Sequence, residues 1–352
     1  MVNKTRAILV AGSAAVCCSL GWAQSTVEIY GVMDLGVAYA NHVRTGAVGS
    51  PTGSVVRVDS GQAMASRLGF RGREDLGDGL KAVFVFEQGF SADTGVLGQG
   101  GRIFGRNAYV GLAGNFGEVQ LGRVVTPIYD FGVALDPVGP ARFAGPLFDP
   151  VYLSRADNSI KYVGKFGGFG IRAQYSLGYD ATVANGGELP QFKVGKETGL
   201  YVDYTSNGLK IGVAFDRQNG TSAATQNDKN QRLAYAASYD FKVLKLYAAH
   251  ERQTVQSGGV SNVNSLSWVG AIVPVTDSLR FHPGVYVYNP AGSSNRSVMP
   301  TVAAYYALSK RTELYTQAAY MKNQSAATTA LIGSINPGSN QTGITVGIRH
   351  AF

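Results

Sequence analysis

The last stretch of the chain, Gln341 to Phe352, alternates strictly and then stops on an aromatic residue. Ile344, Val346 and Ile348 fall on one face, with His350 and Phe352 in register, while Thr345, Gly347, Arg349 and Ala351 fall on the other. A repeat of two belongs to a β-strand, here with one apolar face and one that tolerates charge. A chain that ends inside such a strand must pair it or leave an open edge. The same alternation recurs along most of the sequence. Every segment therefore needs two neighbours, and a sheet closed on itself provides them.

Alternating segments of about ten residues are separated by two kinds of connection. Short ones rich in Gly, Asn and Asp read as tight turns: Leu76–Gly79, Ala113–Phe116, Lys165–Gly168, Ser206–Gly208, Asp240–Val243, Pro274–Asp277 and Ser309–Arg311. Longer polar ones fall around 41–53, 91–103, 125–156, 181–196, 220–230, 256–262, 289–296 and 322–340. Seven turns and eight loops predict sixteen strands, with short connections on one side and long ones on the other. Val27, Ile29, Met33, Leu35 and Val37 alternate with Glu28, Tyr30, Val32 and Asp34, and comparable rows start at Phe169, Leu209 and Leu279. Tyr30, Tyr179, Tyr201, Tyr239, Phe241, Tyr288, Tyr320 and Phe352 are candidates for aromatic girdles at the interfaces. A soluble sandwich also alternates. The even strand number, the small residues on the second face and the aromatics near strand ends favour an all-β, 16-stranded antiparallel transmembrane β-barrel. In hydrocarbon an unpaired backbone group costs several kcal/mol, so closure is obligatory. Sixteen strands enclose a lumen too wide for side chains to fill, and it holds water.

The N-terminus reads as a cleaved signal peptide over residues 1–23: Lys4 and Arg6, an uncharged run from Ala7 to Leu20, then Gly21-Trp22-Ala23. The run is short for a transmembrane helix, which needs roughly 20 apolar residues. Cys17 and Cys18 leave with it, so the barrel domain, 24–352, has no cysteine for a disulfide. The formal net charge of +8 falls to +6. Mean hydropathy near zero does not argue for a soluble protein, because lipid-facing and lumen-facing residues cancel in any window.

Other classes find little support. The histidines His42, His250, His282 and His350 include no i, i+4 pair for zinc, and no Gly-x-Ser-x-Gly elbow is present. A serine–histidine hydrolase site near His250 or His282 is the residual enzyme reading. Gly98 to Gly105 is glycine-rich without the spacing of a nucleotide fingerprint. Positive charge is dispersed, which weakens a nucleic-acid reading. The expectation is a channel with no cofactor, no metal site and no nucleic-acid partner.

Six ordered blocks resemble the Gram-negative porin family typical of beta-proteobacteria: Val27–Asp34, Ser66–Gly77, Phe104–Leu112 with Leu121-Gly122-Arg123, Asn158–Tyr162, Leu308–Thr312 and Gly347–Phe352. The resemblance spans essentially the whole chain after the leader. It implies an outer-membrane homotrimer in contact with lipid, one pore per subunit, and a third extracellular loop folded inward, here about Thr126 to Ala156. That loop carries Asp130, Asp136 and Asp149 as an acidic face and five prolines that suit a stiff segment. Arg67, Arg106 and Lys161 match family positions on a basic wall at the constriction, and their parity places them inward. Arg123 follows Val119 and Leu121 in strict alternation, which points it at lipid unless a bulge or strand end turns it in. Arg57, Arg71 and Arg172 are secondary candidates. A basic wall facing an acidic loop would pass small hydrophilic solutes, with a preference for anions. A ligand-specific channel is the rival reading, and saturation of conductance separates the two.

Overall fold

The computed structural model describes residues 26–180 and 192–352. The leader expected at 1–23 lies outside the described residues, as does much of the connection at 181–196. The strands are β1 (Thr26–Arg44), β2 (Thr52–Ser60), β3 (Arg67–Gly77), β4 (Leu80–Gly89), β5 (Asn107–Gly114) and β6 (Gly117–Val125). A helix, α1 (Pro127–Leu135), and two 3₁₀ turns follow before β7 (Arg155–Phe166), β8 (Phe169–Ser176), β9 (Glu197–Ser206), β10 (Leu209–Asn219) and β11 (Lys229–Asp240). The wall ends with β12 (Lys245–Ser257), β13 (Val260–Pro274), β14 (Leu279–Pro290), β15 (Ser297–Ala307), β16 (Thr312–Asn323) and β17 (Gln341–Ala351).

Neighbouring strands pair antiparallel around the whole ring, and β17 pairs with β1 to close it. The seam is sealed at the last residue: the Gly31 amide donates to the Phe352 carbonyl at 3.0 Å, and the Phe352 amide returns the bond at 3.1 Å. Both β2 and β3 pair with β1, over Leu35–Arg44 and Thr26–Val32. They are therefore two lengths of one wall position, interrupted at 61–66, and the barrel has sixteen positions as expected. No local signal in residues 61–66 marks this interruption. The connection expected around 256–262 is also shorter than foreseen. Its strands run on to a two-residue turn at Gly258-Gly259, both with positive φ, a conformation that glycine adopts without steric cost.

The alternation sorts side chains as the sequence indicated. Val27, Ile29, Met33 and Val37 are exposed on the outside of β1, while Asp34 on the alternate face is fully buried. Ile344, Val346 and Ile348 face out along β17, and Thr345 is buried within. Tyr239, Phe241, Tyr320 and Phe352 also face outward, as girdle residues should. Tyr30, Tyr201 and Tyr288 do not: Tyr30 reaches Glu87 across the lumen side, Tyr201 packs on Phe131 of α1, and Tyr288 stacks on Phe148 of the internal loop. Ring chemistry alone does not choose a side. Because the outer row of β10 meets hydrocarbon, Val213→Arg at its middle is expected to cost about 2–4 kcal/mol. Urea unfolding in lipid vesicles reads this directly, and an unchanged midpoint would show that this row is not bathed in lipid.

The core lies inside the barrel, between wall and loop. Ile128, Phe131 and Leu135 of α1, with Phe143 further along, pack on Tyr201, Ala214, Ala234, Trp268 and Tyr286. Helix α1 starts where Thr126 caps the Tyr129 amide and Pro127 fills the first turn, where no amide partner is needed. The Thr126 and Ser154 hydroxyls meet at 2.7 Å, so the two ends of the loop are stapled together. The third loop is thus folded into the lumen.

Candidate functional site at the level of the internal helix

Two largely buried ion pairs lie on the inner side of the wall beside α1, and Glu87, Asp130 and Lys161 of them line the polar cavity there. Lys161 of β7 donates to the Asp130 carboxylate at 2.6 Å and to the Val125 carbonyl at 2.9 Å. Arg106, just before β5, holds Glu87 of β4 at 2.6 Å, and the Tyr30 hydroxyl donates to the other Glu87 oxygen at 2.9 Å. Arg67 of β3 lies in the field of both Arg106 and Glu87 and has a buried Nε without a hydrogen-bond partner. Arg155, the first residue of β7, donates to the Leu153 carbonyl and lies 5.0 Å from the centroid of the Tyr129 ring. Its Nε and one terminal nitrogen are likewise unpartnered, and Arg106, Glu87 and Arg123 surround it electrostatically.

Four cations, Arg67, Arg106, Arg155 and Lys161, therefore share this level with two carboxylates, Glu87 and Asp130. On the turn side of α1 a polar cavity of about 840 Å³ opens, lined by Glu28, Arg71, Arg73, Glu118 and Arg172 among others. Charge is largely balanced there. Arg71 grips Glu28 through two bonds of 2.8 and 2.9 Å, and Asp203 accepts from both Arg172 and Lys210.

The other expected site residues sit elsewhere. Arg123 is turned off the lipid face by a register shift between Gly122 and Val124, the bulge that strict parity left open. It bonds Asp157 at 2.7 Å and the Gly105 carbonyl at 2.8 Å, and Arg102 reaches the same Asp157. Arg57 pairs with Asp59, which also receives Arg142 from the internal loop. Asp136 and Asp149 do not face open lumen. Asp136 accepts the amides of Val138, Gly139 and Gly145 and the Tyr286 hydroxyl. Burial pushes its carboxyl above the ordinary range, and these four donors pull it back. Asp149 is gripped by Arg232 of β11 through bonds of 2.5 and 3.1 Å. Both carboxyls fasten the loop to the wall behind it, so of the three acidic loop residues Asp130 alone meets the basic group.

Arg155 and Glu87 escaped the sequence reading. Arg155 stands at the junction of loop and strand, where alternation fails. Glu87 had a usable signal, since it shares the inward row of Val83 and Val85. His250 and His282 serve packing: His250 bonds Ser267 at 2.8 Å on the outer wall, and His282 bonds the Pro137 carbonyl at 2.7 Å.

A family model described as Gram-negative porin matches residues 7–326. Outer membrane porin protein 32 of Delftia acidovorans is 33% identical, over 98% of this chain and 98% of that protein. An outer membrane porin protein of Bordetella pertussis is 27% identical over 99% of this chain and 100% of its own length. Among solved structures, the anion-selective porin from Comamonas acidovorans superposes with a TM-score of 0.82 at 30% identity, covering 94% of this chain and 100% of that one. OmpT of Vibrio cholerae, in its trimer form, gives 0.65 at 15% identity over 93% of this chain and 99% of its own, a likeness of fold alone.

Proposed function

We propose, from the premise that this chain belongs to the Gram-negative porin family, that it lets small hydrophilic solutes diffuse across the outer membrane with a preference for anions. The protein is a multi-pass outer-membrane channel and not an enzyme. The observation that carries the preference is the excess of cations beside α1, four against the two carboxylates Glu87 and Asp130. In a narrow passage with low-dielectric walls, such an excess concentrates counter-ions and repels cations. Arg67 and Arg155 supply most of it, because Arg106 and Lys161 are each neutralised by a partner. The relative described as anion-selective supports the same direction. Arg123, Asp136 and Asp149 are assigned to bracing the loops rather than to the eyelet.

Residues 1–23 are assigned as the cleaved leader and 24–352 as the barrel. The subunits are assigned to a homotrimer, with the interface near the first and last strands. In support, β2 leaves one edge unpaired among the described residues and exposes Val56 and Val58 there.

Single channels in a planar bilayer under a tenfold salt gradient test the selectivity. Wild type should reverse on the anion side. Neutralising Arg67 and Arg106 together should weaken that preference without loss of folding. Neutralising Arg67 and Arg155 should shift the reversal potential by about 10–20 mV toward cations, since neither has a carboxylate of its own to release. A cation-selective wild type, or unchanged selectivity in both double variants, would overturn the assignment. Conductance steps in threes would support the trimer.

A further inference from the structure

We propose that the internal loop turns an apolar strip, in place of an acidic face, toward the cations of the eyelet, and that this strip favours organic anions with an apolar body, of the aromatic carboxylate class. The strip is read from α1. Ile128, Phe131, Gly132 and Leu135 are its buried residues and pack toward the wall. At 3.6 residues per turn, the opposite side of the helix carries Tyr129, Asp130 and Val133. Tyr129 and Val133 stand one turn apart there, close enough to form one continuous surface. Val133 is 46% exposed although it lies inside the barrel, and Leu153, at the return of the loop, is 42% exposed.

Little free negative charge remains on this side. Asp130 is bound to Lys161 at 2.6 Å, and Asp136 and Asp149 are turned to the wall behind. Two contacts bring Leu153 to the strip. The Thr126 and Ser154 hydroxyls meet at 2.7 Å, which sets the start of α1 beside the return of the loop. Arg155 donates to the Leu153 carbonyl while its guanidinium lies over the Tyr129 ring, 5.0 Å from the centroid. One guanidinium thus joins the ring of the helix to the backbone of Leu153. Arg67 also lies within electrostatic reach of Tyr129.

Positive charge and exposed apolar surface therefore adjoin, and the pairing selects an occupant. A carboxylate is drawn by the field of Arg67 and Arg155, whose buried nitrogens lack hydrogen-bond partners. A ring carried on that carboxylate covers Val133 and the edge of Tyr129, removing apolar surface on both partners from water. Acetate or chloride answers the charge and leaves the strip wet. A neutral ring covers the strip and forgoes the charge. Contact on one side only lets the solute leave again, as passage requires.

The inference rests on the anion-passing channel proposed above and adds the class of anion. The test is the chloride current of single channels in a planar bilayer with acetate, butyrate, benzoate or benzyl alcohol added. Benzoate should half-block the current at a concentration about tenfold below that of acetate, with butyrate between them and benzyl alcohol far weaker than benzoate. Val133→Thr combined with Leu153→Ser, which keeps every charge, should bring benzoate to the level of acetate. Arg155→Gln should raise the half-blocking concentration of both anions. Should the variants fail to fold, the order of acetate, butyrate and benzoate on wild type decides the matter. Equal block by acetate and benzoate in an anion-selective wild type would overturn this inference and leave the channel reading intact. Block by benzyl alcohol as strong as by benzoate would overturn the part given to the cations. A cation-selective wild type would overturn both readings.

Discussion

Asp34→Ala should lower the stability of the barrel by about 3–5 kcal/mol, since each buried donor left without a partner costs about 1–3 kcal/mol. The Asp34 carboxylate, fully buried, accepts the amides of Gln62, Ala63 and Met64 at 3.2, 3.0 and 2.7 Å and the Tyr315 hydroxyl at 2.5 Å. Those amides belong to the interruption between β2 and β3, where no strand pairs with them. Tyr315 can reach across because Gly347 lies beneath it, and a Cβ there would collide with its hydroxyl. One side chain thus joins the first strand, the broken second position and β16. The consequences extend to the pore. The segment presents Gln62, which accepts from the Arg142 side chain at 2.6 Å and from the Arg142 amide at 2.8 Å, holding the middle of the internal loop. Urea unfolding in lipid vesicles measures the loss. Asp34→Asn, which keeps one acceptor oxygen, should fall between wild type and alanine. A midpoint for Asp34→Ala within error of wild type would remove the carboxylate from this role.

Asp136→Ala should instead leave the barrel standing and loosen what lies inside it. Four donors converge on this carboxyl, three from the loop and one from Tyr286 of the wall. Losing them should cost the loop about 3 kcal/mol of local stability. Neighbouring anchors remain: Trp268 donates to the Leu135 carbonyl at 3.1 Å, and Arg232 keeps Asp149. The loop should therefore sample a second position without leaving the lumen. Open-channel current noise should rise by about threefold, with brief sublevels, while the urea midpoint moves little. A quiet trace from the alanine variant would mean that the apolar packing of Phe131 and Leu135 holds the loop by itself.

Much of this protein is local information. Strands β1, β8, β10, β14 and β17 declare both their existence and their faces, because a strand residue points opposite to its neighbours whatever the rest of the chain does. The Gly258-Gly259 turn was hidden in a polar stretch that composition alone marks as loop. The break at 61–66 was hidden more deeply, because nothing local forbids Gly61 to Ser66 from continuing a strand. It is the carboxylate of Asp34 that makes the irregular path favourable. Arg123 shows the limit of parity itself: a single bulge reverses the side, and bulges answer to tertiary fit.

The sequence by itself determined that the chain crosses a membrane as a closed sheet, which side of each regular strand meets lipid, and that cations line the interior. Tertiary structure alone decided which charges remain uncompensated there. Arg106 meets Glu87 across 19 residues, Lys161 meets Asp130 across 31 and Arg232 meets Asp149 across 83. Alternation is fixed by the geometry of adjacent residues, whereas a charge's partner is fixed by register around the ring and by how the internal loop packs. Both are long-range free-energy balances that no window of sequence contains.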